Sequence, residues 1–210
     1  MNYIDISPII SSQTAVYPGD PEFKRDIILD FKKGDNTLLS SIFTTLHIGS
    51  HADSFNHCSA DGIGISDMPL DFYIGKCQVI SLNLLAKERI YPENIKNIPI
   101  KASRIIFKTN SFPDCNNWND DYNSLTPELI DYLAEKEVIL VGIDTPSIDP
   151  INSVELETHK STYKNKMAII EGLVLNQVTD DVYTLIALPL KIKDADASPI
   201  RAILLKDIFL

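Results

Sequence analysis

Apolar positions in this chain gather into short runs separated by polar turns. Residues 27–31 run into Lys33-Gly34-Asp35-Asn36 as a strand entering a turn, and 38–46 read as a second strand of Ile, Phe, Thr and Leu interrupted by polar residues. Together they predict a hairpin that leads straight into His47. The runs 77–82, 103–109 and 138–144 are apolar, contain β-branched residues and have the length of buried strands, and 182–188 and 199–205 close the chain as two more. Helical signals are fewer. Thr126-Pro127-Glu128-Leu129 joins an N-capping hydroxyl, a Pro at the first helical position and a Glu that complements the helix dipole, which predicts a helix over 126–135. A second helix is expected over 153–166, with Leu156, His159 and Tyr163 on one face. Strands with a few helices between them indicate an α/β or α+β fold. No linker, repeat or low-complexity stretch divides residues 1–210, so one domain is expected.

Composition narrows the functional classes. Of 210 residues, 44% are hydrophobic and 23% charged, enough apolar material for one sizeable core. The 19 Lys and Arg stand against 29 Asp and Glu, a formal net charge of -10, and no basic cluster offers a local exception. Such a surface repels phosphate backbones, so nucleic-acid binding is not expected. The N-terminal Met1-Asn2-Tyr3-Ile4-Asp5 lacks the basic and apolar regions of a signal peptide, and no apolar run is long enough to cross a bilayer. Three cysteines, Cys58, Cys77 and Cys115, form no CxxC pair and fit reduced thiols, so the expected location is the cytoplasm.

Candidate chemistry concentrates in one segment. Three of the four histidines lie within His47-Ile48-Gly49-Ser50-His51-Ala52-Asp53-Ser54-Phe55-Asn56-His57. His47, His51, Asp53 and His57 share sequence parity, so a locally extended chain would present all four on one side. Imidazole and carboxylate suit a divalent ion such as Zn²⁺, and a carboxylate can also bridge two ions. A structural zinc site would be richer in cysteine; Cys58, the one thiol nearby, is expected to pack. Elsewhere, Glu171 interrupts the apolar run 167–175. It either faces a partner such as a metal or lies at an edge beside the turn at Gly172.

At these residues the sequence resembles the bacterial kynurenine formamidases (arylformamidases) of the metal-dependent cyclase superfamily. Their hallmark His-x-Gly-Thr-His-x-Asp-x-Pro-x-His is matched by HIGSHADSFNH, with Ser50 in place of Thr and Phe55 in place of Pro. Tyr17-Pro18-Gly19-Asp20 is similar to an early family turn in which the aromatic residue is usually Trp. Leu70-Asp71-Phe72-Tyr73-Ile74-Gly75, the block from Val141 to Asp149, Glu171-Gly172-Leu173, and the stretches at Ala187 to Leu190 and Asp196 to Pro199 extend the likeness nearly to the C-terminus.

The resemblance implies a mixed β-sheet or barrel-like core flanked by helices, of the swivelling β/β/α type. It also implies two divalent ions per subunit, Zn²⁺ or Mn²⁺. His47, His51 and Asp53 would hold one; Asp53 and Glu171 would bridge to a second, which His159 also binds. His57 would be the general acid/base. An aryl substrate would need an apolar wall, for which Tyr17 and Phe55 are the candidates. The implied reaction is hydrolysis of the aryl formamide N-formyl-L-kynurenine to L-kynurenine and formate, in tryptophan degradation, by a homodimer or higher homo-oligomer. The rivals are an isatin-like cyclic amide as substrate, or a metal-binding paralogue without turnover. A serine hydrolase is not expected, because no G-x-S-x-G elbow occurs.

Overall fold

The computed structural model describes residues 3–206. In chain order the strands are β1 (Tyr3–Asp5), β2 (Lys24–Leu29), β3 (Leu39–Phe43), β4 (His51–Asp53), β5 (Ile74–Ser81), β6 (Arg89–Ile90) and β7 (Arg104–Lys108). They continue as β8 (Ser124–Leu125), β9 (Leu140–Ile143), β10 (Ala168–Glu171), β11 (Val182–Ile186), β12 (Ala197–Pro199) and β13 (Ile203–Leu205). Helices α1 (Pro92–Ile95), α2 (Pro127–Ala134) and α3 (Glu157–Lys164) lie among them.

Nine strands form one mixed sheet in the order β1-β13-β11-β5-β7-β9-β10-β4-β12. Its centre, β5-β7-β9-β10, is parallel, and both flanks are antiparallel. Chain connectivity forces this sheet to curl. β12 is one edge and β13 lies next to the other, yet only residues 200–202 separate them in sequence. On a flat sheet they would be seven strand spacings apart, roughly 34 Å, whereas the four peptide steps from Pro199 to Ile203 reach about 14 Å at most. The result is a half-barrel. Backbone bonds close it: Ile200 N–H donates to Ser50, Ile6 N–H to Ala202 and Val174 N–H to Ile6.

Strand alternation divides the core between the two faces. Cys77, Val79, Ile106, Leu140, Ala168 and Ile170 join residues from both ends of the curl, such as Ile6, Ala52 and Leu204. Ile80, Ile105, Phe107, Val141 and Ile169 pack on the other face beneath Leu129, Ile130 and Leu133 of α2. That helix begins where the sequence signals place it, with Thr126 Oγ1 accepting from the Leu129 N–H.

Three expectations change. The strand expected over 38–46 stops at Phe43, so the chain turns before His47. The helix expected from residue 153 starts only at Glu157, because Leu156 is left-handed (φ 48°). The run 199–205 is divided between two strands at opposite parts of the sheet, with Ile200 to Ala202 crossing the gap. The hairpin of β2 and β3 does form, as a separate two-stranded sheet, and leaves Ile28, Ile42 and Phe43 exposed.

Candidate functional site

The histidine-rich segment is a turn, a short strand and a turn, not one extended stretch. Only His51 and Asp53 lie on β4, where a period of two does put both side chains on one face. His47 reaches the site from the preceding turn and His57 from a 3-10 turn at Phe55–His57. β4 pairs with β10 so that His51 stands opposite Glu171 and Asp53 opposite Ile169. Two glycines permit this approach. Gly49 and Gly172 are both left-handed (φ 59° and 64°), and a Cβ on Gly172 would overlap the Gly49 carbonyl. Ser50 Oγ, which stands where the family has Thr, donates to the Gly172 carbonyl at 2.7 Å and ties the two segments together.

All four histidines and four carboxylates, Asp53, Asp149, Glu171 and Asp196, meet there. His51 Nε2 is 3.1 Å from Glu171 Oε2 and 3.6 Å from Asp53 Oδ1. His47 Nδ1 is 3.1 Å from Asp53 Oδ1, and His159 Nε2 is 3.3 Å from Asp53 Oδ2 and 3.5 Å from Glu171 Oε1. Donor atoms within 4.8 Å of one another fall into three groups: His47, His51 and Asp53; Asp53, His57 and His159; His47, His57 and Asp196. Asp53 belongs to the first two, the position a bridging ligand would occupy. Glu171 is in none of the groups, although it touches both His51 and His159.

A simple test of fit is whether these buried atoms have other partners. Asp53 Oδ1 and Oδ2 and His51 Nε2 are buried, and none has a hydrogen-bond partner among the described residues. The nitrogens near Asp53 approach without hydrogen-bonding geometry, as ligands aimed at a shared centre do. A carboxylate buried in this state is costly unless a cation faces it, so the residues fit a divalent ion.

Two further groups orient the imidazoles. His51 Nδ1 lies 3.1 Å from the Gly49 carbonyl, to which it can donate, leaving Nε2 as the free lone pair. Asp149 does the same for His159, with Oδ2 2.7 Å from Nδ1. It also accepts from the Thr158 and His159 N–H groups, so one carboxylate caps α3 and fixes the ring that α3 presents. The sequence reasoning assigned no role to Asp149 or to Asp196, which accepts from His47 Nε2 at 2.9 Å. Both lie in blocks that carried the family resemblance, and that was their only sequence signal.

Charge balance points the same way. Burial opposes charge on His47, but the hydrogen bond to Asp196 and the adjacent charge of Asp53 outweigh it and lift the imidazole to about 10. Burial likewise opposes charge on His159, and Asp149, Asp53 and Glu171 raise it well above the ordinary histidine range. Against its own burial, Asp53 is held below the ordinary carboxylate range by His159 and His47. The cluster thus retains protons it would surrender to a divalent ion. His57 differs: burial pushes it down, and it is neutral near pH 7.

A cavity of about 650 Å³ opens onto the histidines at the carboxyl ends of β7, β9 and β10, where open α/β sheets bind ligands. Tyr17 lines it, with its hydroxyl donating to the Ile151 carbonyl at 3.0 Å. Phe55 does not line it. Its ring packs against Phe72 and Tyr163 on the edge of the core, so the expectation of a substrate-facing Phe55 is not met. The aromatic wall instead includes Phe112 and Trp118, from a segment that carried no motif.

A curled mixed sheet bearing a histidine–carboxylate cluster that could hold a metal, beside an aromatic-walled cavity, defines the class of this α/β protein. The family model "Cyclase: Putative cyclase" matches residues 4–150, and the chain belongs to that family. Its fold is that of the metal-dependent hydrolases of the cyclase superfamily. A "potential metal-dependent hydrolase with cyclase activity" superposes with a TM-score of 0.85 at 27% identity, over 97% of this chain and 96% of the other. A "predicted metal-dependent hydrolase from Bacillus stearothermophilus" gives 0.83 at 27%, over 97% of each chain. Isatin hydrolase A from Labrenzia aggregata shares the fold at 0.81 and 21% identity, over 97% and 93%.

Proposed function

We propose that this protein is a metal-dependent amidohydrolase acting on a small aryl amide, with N-formyl-L-kynurenine, cleaved to L-kynurenine and formate, as the first substrate to test. The observation that carries this reading is the buried, unpartnered Asp53 among His47, His51 and His159 at the floor of an aromatic-walled cavity. These residues, with Glu171, would hold one or two divalent ions, Zn²⁺ or Mn²⁺. When bound, such an ion supplies Lewis acidity that acidifies water and polarises an amide carbonyl.

The chain's own residues do the rest. His57 lines the cavity, its ring centroid 4.4 Å from that of His47 and 5.6 Å from that of His159. Neutral near pH 7, its imidazole can take a proton from the attacking water and return it to the departing arylamine nitrogen. Asp196, 4.0 Å from His57 Nδ1, favours the protonated ring between those two events. Buried Asp149 and the Gly49 carbonyl keep His159 and His51 aimed inward throughout.

Opening of a cyclic aryl amide is the second reading, favoured by the isatin hydrolases among the proteins of the same fold. Self-association is part of the same proposal: the β2–β3 hairpin leaves Ile28, Ile42 and Phe43 exposed on its two faces, apolar surface that a second copy could cover. The deciding experiment measures turnover of N-formyl-L-kynurenine and isatin alongside metal content in one sample. Chelator-sensitive cleavage of either supports the reading. His57→Ala should lower kcat by about 10²–10⁴ with metal retained. Cleavage that persists after complete metal removal would sink the proposal.

A further inference from the structure

The cavity has two features that the reaction class leaves unassigned. The first is its wall. Trp118 lies edge-on to Tyr17 (centroids 5.3 Å, 75°) and to Phe112 (5.7 Å, 69°), and buried Tyr122 backs it at 6.2 Å. Its Nε1–H donates to Asp120 Oδ1 at 2.7 Å, and the Tyr17 hydroxyl is anchored on Ile151. Both rings are therefore held in place before any ligand arrives, so little rotamer freedom is lost on binding.

The second feature is charge. Beyond the acids around the histidines, Asp20, Asp114 and Asp144 line the cavity, and no Lys or Arg does so among the described residues. The ions offer no substitute for a basic side chain. Asp53, Asp149, Glu171 and Asp196 surround the histidines, and four carboxylates neutralise even two divalent ions. A carboxylate on the substrate would thus meet like charge in a confined space, whereas a neutral or cationic group does not.

We infer that the cavity recognises the ring of an uncharged or cationic aryl amide, with Trp118 as a specificity-determining residue, and selects against substrates carrying a carboxylate beside the ring. This rests on the aryl amidohydrolase reading and narrows its substrate class. On N-formyl-L-kynurenine the ammonium would be tolerated and the carboxylate would have to point to solvent.

The test uses the metal-loaded protein and three formamides: formanilide (uncharged), N-formylkynurenamine (cationic) and N-formylanthranilate (anionic). The first two should show kcat/KM at least tenfold above the third. Binding is read separately by fluorescence, because Trp118 is the chain's one tryptophan. Phenethylamine should quench it with a Kd at least tenfold lower than that of 3-phenylpropanoate. Trp118→Ala should raise KM for formanilide at least tenfold with metal content unchanged. The inference is overturned if N-formylanthranilate matches the other two, if 3-phenylpropanoate binds as tightly as phenethylamine, or if Trp118→Ala leaves KM unchanged. If no formamide is cleaved, the formamidase reading fails, and the quenching contrast still decides the charge preference.

Discussion

The floor and the wall of the cavity are built on opposite principles. The floor is buried and its backbone is held throughout. His51, Asp53, His159 and Glu171 are each 3% exposed or less, sit on sheet or helix, and are fixed by Asp149, Gly49 and the β4–β10 ladder. The wall comes from loops: Tyr17 belongs to the turn after residue 15, and Phe112 and Trp118 to the irregular segment between β7 and β8. Their rings are half-buried and held mainly by one another. A floor of this kind tolerates little change, because each side chain completes the environment of its neighbours. A loop-borne wall can vary its side chains without disturbing the sheet. Under the proposed function, the comparison puts reaction class in the floor and substrate choice in the wall.

The largest expected effect breaks the floor. Asp53→Asn keeps the shape but removes the charge shared between two donor groups, so bound metal and turnover should both fall below about 1% of the parent. Metal analysis beside kcat checks this; an active, metal-replete Asp53→Asn protein would show that the donor set has been misassigned.

A smaller effect concerns the floor's stored protons. In the metal-free protein the folded-state His47 stands at about 10, above the ordinary value of about 6.5. A raised histidine contributes stability that is complete below about pH 6.5 and is lost as pH climbs through about 10. The metal-free protein should therefore lose up to a few kcal/mol between pH 7 and pH 10, read as a falling urea midpoint. With metal bound these imidazoles carry no such proton, and the profile should be flatter. Parallel profiles with and without metal would refute the link between the cluster's protons and its ion.

The smallest effect belongs to the wall. Tyr17→Phe removes only the hydroxyl bond to the Ile151 carbonyl and keeps the ring against Trp118. KM for an aryl amide should rise by about fivefold or less, in line with one neutral hydrogen bond of roughly 0.5–1 kcal/mol, with metal content unchanged. Loss of metal in this variant would erase the distinction between wall and floor.

Much of this molecule is legible locally. The start of α2 could be read from Thr126 and Pro127, because capping is decided within one turn. The hairpin of β2 and β3 and most central strands followed from short apolar runs, since periodicity is a local property. The shared face of His51 and Asp53 followed from parity, but extending that parity to His47 and His57 failed where the chain leaves the strand.

By itself, the sequence determined that one short segment gathers histidines and an aspartate of a kind that could hold a metal, and its resemblance to the cyclase superfamily added His159 and Glu171. Tertiary structure alone decided what completes that constellation. It curled the sheet so that residues 200–202 link edge strand β12 to β13 near the opposite edge, brought Asp149 and Asp196 onto imidazoles 10 and 149 residues away, turned Phe55 into the core edge and put Trp118 in the wall. The physical reason is range. Caps, turns and alternation act between near neighbours, whereas a ligand's orienting partner or a cavity's wall is chosen by whichever distant segment the closed sheet brings alongside.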